Sequence, residues 1–248
     1  MTEYNNSLYI SMLEFNEKDF IPQLSIDCVI FGFFDKKLNV LLPKLKLVKN
    51  LWTLPGGFIR QQEDIDQAAS RILEDRIGLK EIYLKQFKVF GSAARSTIQS
   101  INEILPTQQF SSDAEQWFRQ RFITIGYFAL VDFRKVVTKV SSYDESCHWY
   151  DVKQLPHLAF DHAEIIESAV EKLQVLLDHN DLGFQLLPET FTMKEIQELY
   201  EAILDKPLRR NNFHKKILEL SVLERLDKKY TGAANKAPYL YRIKNNTL

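Results

Sequence analysis

The 248-residue chain is poor in cysteine, with only Cys28 and Cys147. Two thiols without paired spacing give no disulfide framework and no cysteine zinc site. They predict buried free thiols in a reducing cytoplasm. No apolar run approaches the roughly 20 residues that span a bilayer, so no membrane association is expected. The opening MTEYNNSLYISMLEF lacks a basic region followed by an apolar stretch, so it does not read as a secretory leader. Net charge is also nearly absent, at −1, which gives no global pull toward nucleic acid or membrane. No internal repeat or low-complexity tract is visible.

What is present is ordinary for a soluble protein with a real core: 45% hydrophobic and 26% charged residues. The even charge hides an asymmetry. Residues 185–248 hold 12 Lys/Arg against 8 Asp/Glu, a net of +4, while the rest holds 20 against 25, a net of −5. A basic tail on an acidic body points to an anionic partner for the tail.

Along the chain, SIDCVIFGFF (25–34) and LNVLLPKLKL (38–47) flank a polar DKK turn and predict a hairpin. Leu51–Leu54 predicts a strand stopped by Pro55-Gly56-Gly57. Residues 63–76 repeat apolar positions at helical spacing (Ile65, Ala68, Ala69, Ile72, Leu73), with Gly78 placed to end the helix. Strands are expected at 81–90, 121–131 and 146–150, with a long polar stretch, 91–120, as a lid. Asp161 with Glu164 predicts a capped helix over 162–178. After a linker at 179–184, Thr192 with Glu195 announces another helix with Ile196, Leu199, Tyr200 and Ile203 on one face. RRNNFHKKILEL (209–220) predicts a second. VLERLDKKY and YLYRIK then read as strand, turn, strand. Helix, turn, helix and hairpin in about sixty residues outline a winged helix.

Gly57, Glu63, Arg71 and Gly78 stand at the spacing of the Nudix box, G-x5-E-x7-R-E-U-x-E-E-x-G-U with U aliphatic. Residues of about 20 to 178 therefore resemble a Nudix domain. The resemblance implies magnesium chemistry, which needs hard oxygen ligands bridging to substrate phosphates. Positions 72, 75 and 76 share one helix face, and in the family all three are glutamates. Here they are Ile72, Asp75 and Arg76. One ligand is gone, one is shortened and one has become a cation. No metal, no cofactor and no catalytic residue is expected; Glu63, Glu74 and Asp75 are the ligands a residual hydrolase would keep. Two readings remain for Glu63, Arg71 and Asp75: salt bridges that hold the loop to the helix, or part of a pocket that binds without cleaving.

In the tail, Arg209, Arg210, Asn211 and Asn212 open the second helix, with Lys215 and Lys216 one turn on. Helix N-termini favour phosphate, and Arg and Asn read guanine and adenine edges. Lys228, Lys229 and Lys236 flank the hairpin, where a wing touches backbone phosphates.

A degenerate box followed by a winged helix resembles the Nudix-related transcriptional regulators of bacteria. WTLPGGFI (52–59), YLKQFKVFG (83–91), the FDH motif (160–162), FTMKEIQELYEAIL (191–204) and RRNNFHKKIL (209–218) carry the match. It implies a Nudix α/β/α sandwich with a C-terminal winged helix-turn-helix: an extension at 1–19, an effector-sensing domain at 20–178, a linker at 179–184 and a DNA-binding domain at 185–248. It further implies a dimeric, cytoplasmic repressor of an operator in double-stranded DNA. The effector would be an ADP-ribose-like nucleotide or a sugar such as a pentose. SAARSTIQS after Gly91 departs from the acidic, arginine-containing run with proline of many ADP-ribose-sensing relatives, which makes a smaller sugar at least as plausible as the nucleotide. The effector-binding residues expected are Arg60, Glu63, Arg71, Asp75 and Arg95. The alternative is a magnesium-dependent hydrolase of ADP-ribose or a related nucleoside diphosphate.

Overall fold

The computed structural model describes residues 16–46, 48–95, 112–177, 181–229 and 237–244. Its elements are β1 (Phe20–Phe34), β2 (Lys37–Leu45), β3 (Gly56–Arg60), α1 (Ile65–Ile77), β4 (Lys85–Phe90), α2 (Ser112–Phe118), β5 (Ile123–Val131), β6 (Asp144–Asp151), α3 (His162–Leu177), β7 (Phe191–Thr192), α4 (Met193–Leu204), α5 (Arg210–Glu219), β8 (Leu223–Lys228) and β9 (Tyr239–Ile243). Contacts group them into two compact units. Among the described residues, the first takes in those up to Ile30 and those within Val40–Ala129 and Val136–Ala169; the second takes in Phe31–Asn39, Leu130–Lys135 and those from Val170 on. This grouping by contacts runs through β1, β2, β5 and α3.

β1 to β6 form one sheet in the order β4-β5-β1-β2-β6, with β3 antiparallel on β1. The β1–β2 hairpin closes on Asp35 and Lys36, both at positive φ, as the twist of a two-residue hairpin requires. Its core is the apolar run seen in the sequence, with Ile26, Cys28, Val29, Ile30 and Val40 fully buried. Leu51–Leu54 is not a strand beyond an isolated bridge at Trp52; the strand lies over the glycines instead. The reason is close backbone approach, since a Cβ at Gly56 would sit 2.2 Å from Asp27 Oδ1 and 3.0 Å from the Ile26 carbonyl. Only glycine lets β3 lie so near β1.

Helix α1 begins where Gln67 Oε1 accepts from the Asp64 backbone N–H at 3.2 Å. It ends at Gly78, left-handed at φ 74°, whose N–H donates to the Glu74 carbonyl. Ala68, Ala69, Ile72, Leu73 and Ile77 form its buried face, whereas Ile65 is exposed. Strand β4 starts later than the expected residue 81, and α2 supplies a helix inside the expected lid; residues 96–111 of that segment lie outside the described residues.

In the second unit, β7, β9 and β8 make a three-stranded sheet with α4 and α5. Thr192 and Glu195 cap α4 reciprocally: Thr192 Oγ1 accepts from Glu195 N (3.2 Å) and Glu195 Oε2 accepts from Thr192 N (2.6 Å). Ile196, Leu199, Tyr200 and Ile203 are buried with Phe213 and Ile217 of α5. Phe184 stacks on Phe191 at 5.8 Å between ring centroids.

Candidate effector site and DNA-binding face

The turn between β3 and α1 is a closed staple. Arg71 donates from Nε and Nη2 to Glu63 (2.8 and 2.6 Å), from Nη2 to the Phe58 carbonyl (2.8 Å) and from Nη1 to Asp75 (3.2 Å). Glu63 Oε1 also accepts from Arg60 N at 2.6 Å. The Arg71 hydrogen bonds, outweighing partial burial, hold the Glu63 carboxyl below its ordinary range, and Glu63 holds the Arg71 guanidinium above its own. Glu63, Arg71 and Asp75 come together: the Glu63–Arg71 pair and the Phe58 carbonyl hold the loop to the helix, while Asp75 pairs with Arg71 along the helix and stays half exposed. Arg60 contributes only its backbone to this staple, and its residue is exposed.

One turn along, Ile72 is core. It is 1% exposed, and a Cβ at Gly57 would lie 3.0 Å from its Cγ1. Arg76 is bidentate on Asp144 (3.0 and 2.8 Å), donates to the Gly56 carbonyl (2.9 Å) and reaches Thr53 Oγ1 (3.3 Å). The Asp144 side chain is fully buried and also accepts from Ser141 Oγ at 2.7 Å. Of the three positions that hold magnesium in a Nudix hydrolase, one is packed hydrocarbon, one is committed to Arg71 and one is a guanidinium locked to a carboxylate. This donor set does not fit magnesium. Among the described residues, no three His, Cys, Asp or Glu side chains are grouped as metal ligands.

A second polar cluster lies where β1, β5, the residues after β4 and the start of α3 converge. Arg95, 6% exposed, donates from Nε to Asp161 (2.9 Å to Oδ1, 2.8 Å to Oδ2) and from Nη2 to Asp27 (3.1 Å). Asp27 Oδ2 also accepts from Thr124 Oγ1, which accepts from Ser25 Oγ, both at 2.8 Å. The expected capping role of Asp161 is not what its carboxylate does: it turns to Arg95. His162 is a buried histidine with a satisfied ring nitrogen, its Nδ1 accepting from Leu54 N at 3.0 Å. Burial lowers its pKa first and Arg95 adds to that, against the pull of Asp27. The ring is therefore neutral near pH 7. Arg95 stands apart from the staple, so the expected effector residues divide between two places. Asp27, Thr124 and Asp144 were not anticipated from sequence. The signal for Asp27 was there: one carboxylate inside the apolar run SIDCVIFGFF needs a partner.

On the winged helix, Arg209 is the N-cap of α5 and Arg210, Asn211 and Asn212 fill its first turn, all exposed and with no acidic residue among them. Lys215 and Lys216 follow on the exposed side, with Glu219 at 3.9 Å from Lys215. Arg225 and Lys228 of β8 stand over the Tyr239 ring at 4.7 and 5.4 Å. Lys229 lies 3.9 Å from Glu195, which dilutes its charge, and Lys236 falls outside the described residues.

Fold and site thus define the class: a Nudix-type α/β domain followed by a basic winged helix. The comparisons agree. The NUDIX domain model matches residues 22–171, and the model of the NrtR DNA-binding winged helix domain matches 183–243. This chain belongs to the Nudix family, in the form that ends in an NrtR-type winged helix. A relative, the ADPR responsive transcriptional repressor NtrR of Acinetobacter baylyi, is 29% identical, covering 90% of this chain and 82% of its own. Among solved structures, Shewanella oneidensis NrtR complexed with a 27mer DNA superposes with a TM-score of 0.67 at 26% identity, covering 91% of this chain and 95% of that one. A MutT/nudix family protein from Enterococcus faecalis shares the fold at a TM-score of 0.67 and 20% identity, covering 98% and 94%. Among the described residues, no helix is long and apolar enough to cross a membrane.

Proposed function

We propose that this chain is an effector-responsive transcriptional repressor, a cytoplasmic homodimer whose Nudix domain binds a small molecule without hydrolysing it. The observation that carries the reading is the N-terminus of α5. Two arginines and two asparagines stand exposed there, with no carboxylate in the turn, on the second helix of a winged helix. That end of a helix attracts phosphate, and these side chains match base edges in the major groove. The similarity along most of the chain to a regulator that binds DNA supports it. The Arg76–Asp144 lock supports the loss of hydrolysis, because a fixed cation stands where the reaction needs a divalent ion. Two such winged helices, related by the dimer's two-fold axis, would read a palindromic operator.

The effector is a sugar such as a pentose, or an ADP-ribose-like nucleotide. An effector changes DNA affinity only by its differential affinity for the two states. The test is gel-shift titration of the full chain on the DNA upstream of its own gene, with and without pentoses and ADP-ribose. Binding that steepens at low salt and is released by one effector is the expected result. No shift on any DNA overturns the regulator. Magnesium-dependent turnover of ADP-ribose, lost in Glu63→Gln or Asp75→Asn, overturns the non-catalytic reading.

A further inference from the structure

Helix α5 has three apolar residues, and two of them are core: Phe213 is 6% exposed and Ile217 is fully buried. The third, Leu218, is 52% exposed. It stands at i+7 from Asn211 and i+3 from Lys215, the spacing that sets three side chains in one row along a helix. Asn211 is exposed, and so is most of the Lys215 side chain. The row therefore lies on the side of α5 turned away from Phe213 and Ile217. Seven residues of helix cover about 10 Å, close to three base-pair steps of a duplex. An open leucine among Arg209, Arg210, Lys215 and Lys216 adds nothing to attraction for phosphate, since it has neither charge nor donor.

We propose that Leu218 is a base-reading residue of α5, packing on the 5-methyl group of a thymine in the major groove, in one row with Asn211 and Lys215. The inference rests on the DNA-binding reading and adds to it a specificity residue that makes no hydrogen bond. Thymine alone presents a methyl group in the major groove, so an apolar side chain there tells it from the other bases. Charge decides the occupant of this face. Its exposed cations suit a polyanion, whereas the same face of a second copy would bring like charges together across a two-fold contact. Asn211 matches an adenine edge and Lys215 a guanine edge. The row thus reads a short mixed sequence whose far end, at Leu218, is thymine.

The test begins by selecting duplexes that the full chain binds from random sequence. Fluorescence anisotropy then measures the tightest of them with each thymine replaced in turn by deoxyuridine, which lacks the methyl group and keeps the pairing. At least one replacement weakens binding to the parent chain about fourfold, the worth of one buried methylene-sized group. Leu218→Ala binds the unmodified duplex at least as weakly and is indifferent to that replacement. Alanine suits an exposed helix position, so its thermal unfolding matches the parent's. Leu218→Lys also binds more weakly, although it adds a cation. A parent chain indifferent to every replacement overturns the inference, as does a replacement effect that persists in Leu218→Ala. Tighter binding by Leu218→Lys overturns it too, because the position then faces phosphate. If sedimentation shows that Leu218→Ala loses a dimer while keeping its thymine preference, Leu218 belongs to a contact between copies and the inference falls. Binding of duplexes with no thymine effect at Leu218 removes this inference alone and leaves the repressor reading standing; no binding to any duplex removes both.

Discussion

Replacing Arg76 by methionine tests whether the former magnesium face has become a structural lock. The guanidinium makes four hydrogen bonds, two of them to an Asp144 side chain with no exposure. Methionine fills similar volume and donates nothing. Asp144 would keep only Ser141 Oγ, and the Gly56 carbonyl would lose its donor. Breaking a buried pair from one side costs about 3–5 kcal/mol. At roughly 2–4 °C per kcal/mol for a protein of this size, Tm should fall by about 6–20 °C. Differential scanning calorimetry and urea unfolding measure it. The partner variant Asp144→Leu in the Arg76→Met background removes the stranded carboxylate and should recover part of the loss, because an apolar pair can match a buried ion pair. A single variant within about 1 kcal/mol of the parent, the size of a surface ion pair, would refute the lock. Arg76 would then be a spectator, and the argument that it displaced the metal would lose its support.

Ile72→Ala removes a side chain 1% exposed beneath Gly57, and should cost about 2–5 kcal/mol in urea unfolding while leaving DNA affinity of the folded protein unchanged. Glu63→Gln should lose stability in a pH-dependent way. The parent carboxyl is held below its ordinary range by Arg71, so its contribution is present above the unfolded value near 4.3 and disappears as pH falls through the lower folded value. Parent and variant should therefore differ in denaturant midpoint at pH 7 and converge toward pH 3; a constant gap would refute the assignment. Arg210→Ala should weaken operator binding by about 1–3 kcal/mol and, if the contact is to phosphate, reduce the salt slope by about one unit in a filter-binding series.

Much of the fold was legible because periodicity and capping are local. The Thr192–Glu195 box, Gly78 and the apolar face of α4 each need only neighbours within one helical turn. The β3 strand was misplaced by a few residues, since Pro-Gly-Gly signals a turn by composition. Here the glycines serve a close approach to β1, a fact about a partner strand 30 residues away in sequence. The staple of Glu63 and Arg71 was one of two readings because helix spacing sets them near each other but cannot say what else takes their atoms. Arg76 was read as a cation opposing a metal; that it holds Asp144, 68 positions away, is a long-range fact that spacing does not encode. The same holds for Arg95 with Asp27 and Asp161, at 68 and 66 positions.

Two of the four elements that the division crosses, β1 and β5, also carry residues of the Arg95 cluster. β1 carries Asp27 and runs on to Phe34; β5 carries Thr124 and runs on to Val131. Within the second unit, the turn after β1 reaches helix α4 through Lys36 and Glu198 at 3.1 Å, and Phe34 packs on Phe133 at 4.6 Å between ring centroids. The ion pair is 69% exposed on the lysine side and is worth little by itself. The aromatic contact, worth about 0.5–1.5 kcal/mol beyond its buried area, is the stronger tie. For a chain of the proposed function, regulation needs a coupling free energy of only about 1–3 kcal/mol, and that coupling is reciprocal between effector and DNA.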